Sequence, residues 1–126
     1  MSKIKTDDIE TYYEIHGEGN PLIFIHGGLV TSTMWQPQVD YFYKNFKVIT
    51  YDVRGYGKTG VSSLRKYSVE LFADDIEELL EKLKIEKPII CGLSLGGMIA
   101  QTYATKYPQD LRALILSDTA ISTSLT

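Results

Sequence analysis

The sequence predicts an α/β fold: a mainly parallel sheet with helices on both faces and an antiparallel hairpin at its start. Three observations predict it. Short apolar runs of strand length alternate with stretches of helical period. Residues 2–16 depart from that alternation and read as two strands in immediate succession. Polar or glycine-rich residues (His26-Gly27-Gly28, Asp52, Ser94, Asp118) stand at the carboxyl ends of the apolar runs, where open α/β sheets bind their ligands.

The elements follow in order. Ile4, then Asp7-Asp8, then the alternating Ile9, Thr11, Tyr13 and Ile15 read as a hairpin turning at the two aspartates. Gly17-Glu18-Gly19-Asn20 is a turn, and Pro21 to His26 is a buried strand. Thr31 to Phe46 carries Met34, Trp35, Val39, Phe42 and Tyr43 at approximate helical spacing, interrupted by Pro37; it reads as an irregular loop and then a helix. Phe46 to Asp52 is a strand, and Val53 to Lys66 a Gly- and Ser-containing loop. Ser68 caps a helix in which Val69, Phe72, Ile76, Leu79, Leu80 and Leu83 recur at three- and four-residue steps. Its acidic residues, Glu70, Asp74, Asp75, Glu77, Glu78 and Glu81, read as a solvated face rather than a metal site. Ile89 to Cys91 is a strand, Met98 to Ala104 a packed helix ending before Pro108, and Leu111 to Ser117 a last strand with Asp118 at its end. The tail Thr119 to Thr126 is small and polar. Strands joined through helices imply right-handed crossovers and a mainly parallel sheet.

The chemistry concentrates between Pro88 and Gly97, where Gly92-Leu93-Ser94-Leu95-Gly96 turns sharply from strand to helix. A serine in such a turn holds a strained backbone and an exposed hydroxyl. The flanking positions must be small, and Gly92 and Gly96 are; Gly97 lets the helix lie close to the neighbouring strand. The first amides of the helix point where negative charge develops in acyl transfer. Three fixed Gly/Ser matches arise by chance in roughly 4% of chains of this length. The motif therefore gains its weight from the strand before it, the helix after it and the segments upstream.

Composition bounds the rest. The chain has 126 residues, 44% of them hydrophobic, a net charge of −3 and one cysteine. That length makes one domain with a real core. No apolar run is long enough to cross a membrane, no secretory signal is visible and no basic patch speaks for nucleic acid. A single cysteine excludes an internal disulfide and fits a reducing cytoplasm; Cys91 reads as a buried small hydrophobe. No metal-ligand cluster, dinucleotide motif or phosphate-binding loop is present, so no cofactor or metal is implied.

The order His26-Gly27-Gly28, then Asp52-Val53-Arg54-Gly55-Tyr56-Gly57-Lys58-Thr59, then Gly92-Leu93-Ser94-Leu95-Gly96-Gly97-Met98 resembles the α/β-hydrolase fold superfamily, and the resemblance covers essentially the whole chain. The runs L-S-L-G-G-M-I-A-Q and L-I-L-S-D-T-A are similar to the esterase and 3-oxoadipate enol-lactonase branch. The resemblance implies Ser94 as nucleophile and the backbone amides of Gly28 and Leu95 as the oxyanion hole, each such donor being worth about 2.7–4 kcal/mol in the transition state. It implies that His26 supports the oxyanion loop. It further implies that the Arg54–Gly57 loop is structural, tying Asp52 and Arg54 into hydrogen bonds near the site.

Set against the family's pattern, residues 1–126 correspond to the N-terminal part of one hydrolase domain, truncated after the sixth strand. The cap and the C-terminal catalytic segment are absent, and Ala120–Thr126 fall where the cap would begin. The two histidines, His16 and His26, do not match the family's base. Asp118 matches the position of the catalytic acid in some relatives; a residue capping the loop is the other reading. The expectation is a serine hydrolase acting on a small carboxylic ester or lactone, complete only with a missing C-terminal half or a second chain, without nucleic-acid or membrane partners, and inactive as this chain alone. Two alternatives stay open: a non-catalytic binding or assembly module, and a hydrolase-fold enzyme of another reaction such as perhydrolysis, carbon–carbon cleavage or aminopeptidase action. Trp35, Phe42, Tyr51 and Tyr56 are candidates for an acyl pocket or for core packing.

Overall fold

The computed structural model describes residues 2–64 and 66–119. Six strands form one sheet in the order β1-β2-β4-β3-β5-β6. The hairpin β1 (Ser2–Thr6) and β2 (Ile9–His16) turns at Asp7, whose φ of 50° lies in the left-handed region that aspartate tolerates. Strand β2 runs antiparallel to β4 (Phe46–Tyr51). The remaining pairs, β4 with β3 (Asn20–Ile25), β3 with β5 (Ile89–Leu93) and β5 with β6 (Ala113–Ser117), are parallel. The predicted fold class, a mainly parallel sheet opened by an antiparallel hairpin, is the one observed.

The alternation of side chains along β3 explains why its whole run is apolar. Ile23 and Ile25 enter a core with Ile49, Ile76, Leu79, Ile90 and Tyr103, under α2 (Val69–Leu83) and α3 (Leu95–Lys106). Leu22 and Phe24 enter a second core on the opposite face with Val48, Cys91, Trp35 and Val39, under α1 (Gln36–Phe42). A central parallel strand is buried on both faces and has no polar side. Pro37 does not interrupt α1. It sits in the first turn, after a 3-10 turn over Ser32–Trp35, where a missing N–H costs nothing and a fixed φ helps.

Helix α2 starts as expected, with the Ser68 hydroxyl accepting from the Leu71 amide at 3.0 Å. The solvated-face reading of its acids is corrected by three of them. Asp75 is buried and binds Arg54 through two hydrogen bonds, Arg54 Nε to Oδ2 at 2.9 Å and Nη2 to Oδ1 at 2.8 Å. Asp74 accepts from Lys106 Nζ at 2.7 Å and from the Tyr107 hydroxyl at 2.6 Å; Glu77 accepts from the Tyr103 hydroxyl at 2.8 Å. Because α3 lies beside α2, the half-buried edge of α2 carrying Asp74 and Glu77 meets tyrosines and a lysine as well as water.

Arg54 also meets Asp8 of the hairpin turn at 2.8 Å, and its side chain is wholly buried. This ionic cluster joins the hairpin, the loop after β4 and α2. Arg54 is thus structural, as expected, but its hydrogen bonds lie toward α2 and the hairpin turn instead of near the site. Arg54 beside Asp8 holds that carboxyl well below the usual range, whereas burial pushes Asp75 up against the pull of Arg54.

The last strand differs from the rest. Leu114, Ile115 and Leu116 of β6 are 36%, 49% and 39% exposed, and β6 is the edge of the described sheet. Beside it, on the α1 face, a groove of about 520 Å³ runs past Phe24, Trp35, Phe42, Cys91, Leu93 and Ile115. Ala120–Thr126, where the resemblance puts the start of a cap, lie outside the described residues.

Candidate active site

Ser94 stands between β5 and α3 at φ 54°, ψ −116°, a conformation non-glycine residues rarely hold, and its side chain is exposed and caps no amide of the helix. The glycines around it have separate reasons. A Cβ on Gly92 would lie 2.2 Å from the Gly96 carbonyl oxygen, and one on Gly96 would lie 2.2 Å from the carbonyl oxygen of Ile25 in β3. Gly96, rather than Gly97, is therefore the residue that brings the helix onto β3. Gly97 faces the residue beyond β6, Thr119, whose Cβ lies 2.5 Å from where a Gly97 side chain would start.

The loop after β3 lies against this turn. A Cβ on Gly27 would be 3.5 Å from the Ser94 Cβ, and one on Gly28 would be 3.8 Å from Leu95 Cδ2 and 3.7 Å from the Tyr56 hydroxyl. Gly28 thus lies against Leu95, the residue that follows Ser94. Leu95 is the first residue of α3, so its amide has no partner within the helix and the positive end of the helix dipole faces the same space. Leu29 follows with φ 67° and is 98% exposed.

His26 and Asp52 brace that loop from behind. The buried His26 ring donates from Nδ1 to the Gly27 carbonyl at 2.7 Å and accepts the Val53 N–H at Nε2, 2.9 Å away. Both nitrogens are committed, which fixes a neutral tautomer, and burial lowers the pKa of the ring. Asp52 accepts from the Ser32 amide at Oδ1 and from the Lys58 amide at Oδ2, both at 2.9 Å, and its carbonyl accepts the Thr59 hydroxyl at 2.6 Å. Gly57, at φ 50°, leaves the room Asp52 needs: a Cβ there would sit 2.3 Å from Oδ2. Asp52 is therefore a loop brace, as expected.

The remaining candidates separate. Asp118 is exposed, ends β6 and has φ 49°; its neighbour Ser117 accepts the Ser94 N–H at 3.1 Å, so it lies beside the turn. His16 pairs with Val48, and Val48 lies level with Leu22 and Ile89, at the end of the sheet opposite Ser94. Of the aromatic candidates only Tyr56 reaches the site, edge-on to His26 at 5.3 Å. Trp35 stacks on Phe24 under α1, with Phe42 beside them, and Tyr51 is buried under α2. Sequence reasoning missed Thr119, whose hydroxyl donates to the Ser94 carbonyl at 2.9 Å. The paired Gly96-Gly97 in a helix was the available signal, since one close approach explains only one of them.

Residues 20–126 match the alpha/beta hydrolase fold family. The chain belongs to that family. It is 30% identical over 119 residues to 3-oxoadipate enol-lactonase 2 of Acinetobacter baylyi, covering 93% of this chain and 44% of that protein. Among solved structures it is similar to a thermophilic esterase from Thermogutta terrifontis (TM-score 0.87, 36% identity, 94% of this chain and 45% of that one). It is likewise similar to the enol-lactonase from Burkholderia xenovorans LB400 (TM-score 0.88, 29% identity, 94% and 47%). The chain spans less than half the length of these relatives, which are the hydrolases its motifs resemble. No helix among the described residues is long and apolar enough to cross a membrane.

Proposed function

We propose that this chain carries the nucleophile and oxyanion hole of a serine hydrolase that acts on a small carboxylic ester or lactone through an acyl-enzyme. The observation that carries the reading is the backbone of Ser94: a strained residue, exposed, at the carboxyl end of a central strand, with a glycine loop on one side and a helix N-terminus on the other. Such strain persists where surrounding structure over-determines it, and it clusters at functional sites. In the reaction the Ser94 hydroxyl adds to the substrate carbonyl as its proton passes to a base. The amides of Gly28 and Leu95 donate to the oxyanion, the alkoxide leaves with the proton, and water releases the acid by the reverse sequence. The lactonase and esterase relatives support ester or lactone as the substrate class.

The base is not among the histidines of these 126 residues, since His26 has no free nitrogen and His16 lies at the far end of the sheet. We read the base as supplied by a polypeptide segment other than these 126 residues, joined to them or separate. The exposed β6 edge and the apolar groove beside α1 are where such a segment packs. Asp118, which follows β6 beside the turn, is the candidate to orient that base, with a residue capping the loop as the other reading. The exposed edge also favours the second reading, an assembly module that uses the scaffold without turnover.

Two measurements separate the readings. The first is the intact mass of each polypeptide in the folded sample, which identifies a chain carrying a further histidine. The second is turnover of a p-nitrophenyl ester by the form that includes it. Ser94→Ala is expected to abolish turnover and leave assembly unchanged, and Asp118→Asn to lower it by orders of magnitude with folding intact. Wild-type rates in Ser94→Ala exclude the hydrolase reading, and wild-type rates in Asp118→Asn exclude the acid role.

A further inference from the structure

We propose that Thr119 is a positioning residue that locks the conformation of Ser94 from the far side of the sheet edge; its kinetic consequence rests on the reading of Ser94 as nucleophile. Both backbone groups of Ser94 are tied to the segment that leaves β6. The Ser94 N–H donates to the Ser117 carbonyl at 3.1 Å, and the Thr119 hydroxyl donates to the Ser94 carbonyl at 2.9 Å. The same carbonyl already accepts the Gly97 and Met98 amides at 2.9 and 3.1 Å. A carbonyl with two helical donors needs no third for its own satisfaction. The third bond comes from outside the helix and ties that carbonyl, and with it the ψ of Ser94, to the segment after β6.

Gly97 and Asp118 are shaped to the same contact. The chain reverses at Asp118 with φ 49°, which returns Thr119 onto α3. Thr119 then occupies the space that a side chain at position 97 would fill, its Cβ, Cγ2 and Oγ1 lying 2.5, 2.6 and 2.7 Å from the Cβ position. Glycine inside a helix is unfavourable relative to alanine, so Gly97 has a cost that helix formation does not repay. Seating Thr119 is the contact in the structure that requires it. The end of β6 thereby sets the geometry at the end of β5, and small displacements of a reacting group lower turnover steeply.

The test uses Thr119→Val, which keeps the shape and removes the hydroxyl, Thr119→Ser, which restores the donor, and Gly97→Ala, which evicts Thr119 while favouring the helix. Two readouts are taken: the Ser94 carbonyl carbon resonance, and kcat and KM for a p-nitrophenyl ester in the form of the protein that includes the base. Thr119→Val is expected to move the resonance and lower kcat about ten-fold with KM within two-fold. Thr119→Ser returns both, and Gly97→Ala reproduces the Val defect without loss of melting temperature. An unmoved resonance in Thr119→Val, or a Thr119→Ser that behaves like Val, overturns the proposal. If Ser94→Ala leaves turnover intact, the hydrolase reading fails and the resonance alone decides the lock: moved in Val and restored in Ser supports it, unmoved overturns it. Should Thr119→Val not fold, the Ser and Gly97→Ala variants carry the same decision.

Discussion

Replacing Gly96 by alanine tests whether the elbow geometry follows from one close approach. The Cβ would sit 2.2 Å from the Ile25 carbonyl oxygen and 2.7 Å from that of His26, both backbone atoms of a central strand and its continuation. Neither can rotate away, so α3 must lift from β3 by about 1 Å to reach ordinary contact distance. Overpacking of this kind costs about 1–3 kcal/mol, and alanine's helix preference returns less than about 1 kcal/mol in the first turn. A net loss of about 2 kcal/mol remains. At about 2.1 cal/mol/K per residue the chain's unfolding entropy is about 0.26 kcal/mol/K, so the melting temperature should fall by about 8 °C. Lifting the helix also carries the Leu95 amide away from the Gly28 loop. A displacement of about 1 Å in a reacting constellation costs on the order of 100-fold in rate. Thermal unfolding by circular dichroism and p-nitrophenyl ester turnover read the two effects separately. A Gly96→Ala protein that melts within 2 °C of the parent and turns over at the parental rate would refute the argument.

Two further outcomes follow from buried charge. Asp75→Asn leaves the wholly buried Arg54 with a neutral partner on α2 while Asp8 still offsets its charge, so the loss is that of a weakened buried charged hydrogen-bond pair, about 1–3 kcal/mol; urea unfolding should show a loss of that order, and no measurable loss would contradict it. His26 gives a pH dependence of definite sign. Burial lowers its folded pKa, so its contribution to stability is complete above the ordinary value of about 6.5 and is lost as pH falls through the folded value. Unfolding free energy should therefore drop between about pH 6.5 and the folded pKa, and a histidine ring titration by NMR showing His26 protonating at or above 6.5 would sink this account.

How much of this was legible in the sequence depends on the range over which each feature is decided. The strands and α2 are decided locally: the run Pro21–His26 cannot be anything but doubly buried, and Ser68 followed by an apolar stripe specifies a capped helix. The glycine-flanked serine is local too. Asp75 was misread because its partner lies 21 residues away, and nothing on the helix itself distinguishes it from its solvated neighbours. Gly96 was read as a small flank of the serine turn and Gly97 as the residue that lets the helix approach the neighbouring strand. The structure assigns them to two different strands, since α3 lies over β3 on one side and meets the end of β6 on the other. Thr119 was invisible for a related reason: a single hydroxyl in a polar tail acquires meaning only once Asp118 turns it back onto the helix.

The site divides along a physical line. On the proposed reading, the helix N-terminus and the Gly28 loop, with the braces behind it, are the groups that would address charge on an oxyanion at Ser94. None of the chain's histidines moves a proton there. Freeing His26 Nε2 to act as a base would strand the buried Val53 amide, at about 1–3 kcal/mol. The free edge of β6 resolves the conflict by position. Ser117 and Thr119 already touch the backbone of Ser94, so a strand added at that edge arrives beside the hydroxyl without disturbing the loop on the opposite flank. The same contacts mean that a segment docking on β6 bears on the Thr119 lock. Assembly and alignment of the serine are then coupled through two hydrogen bonds.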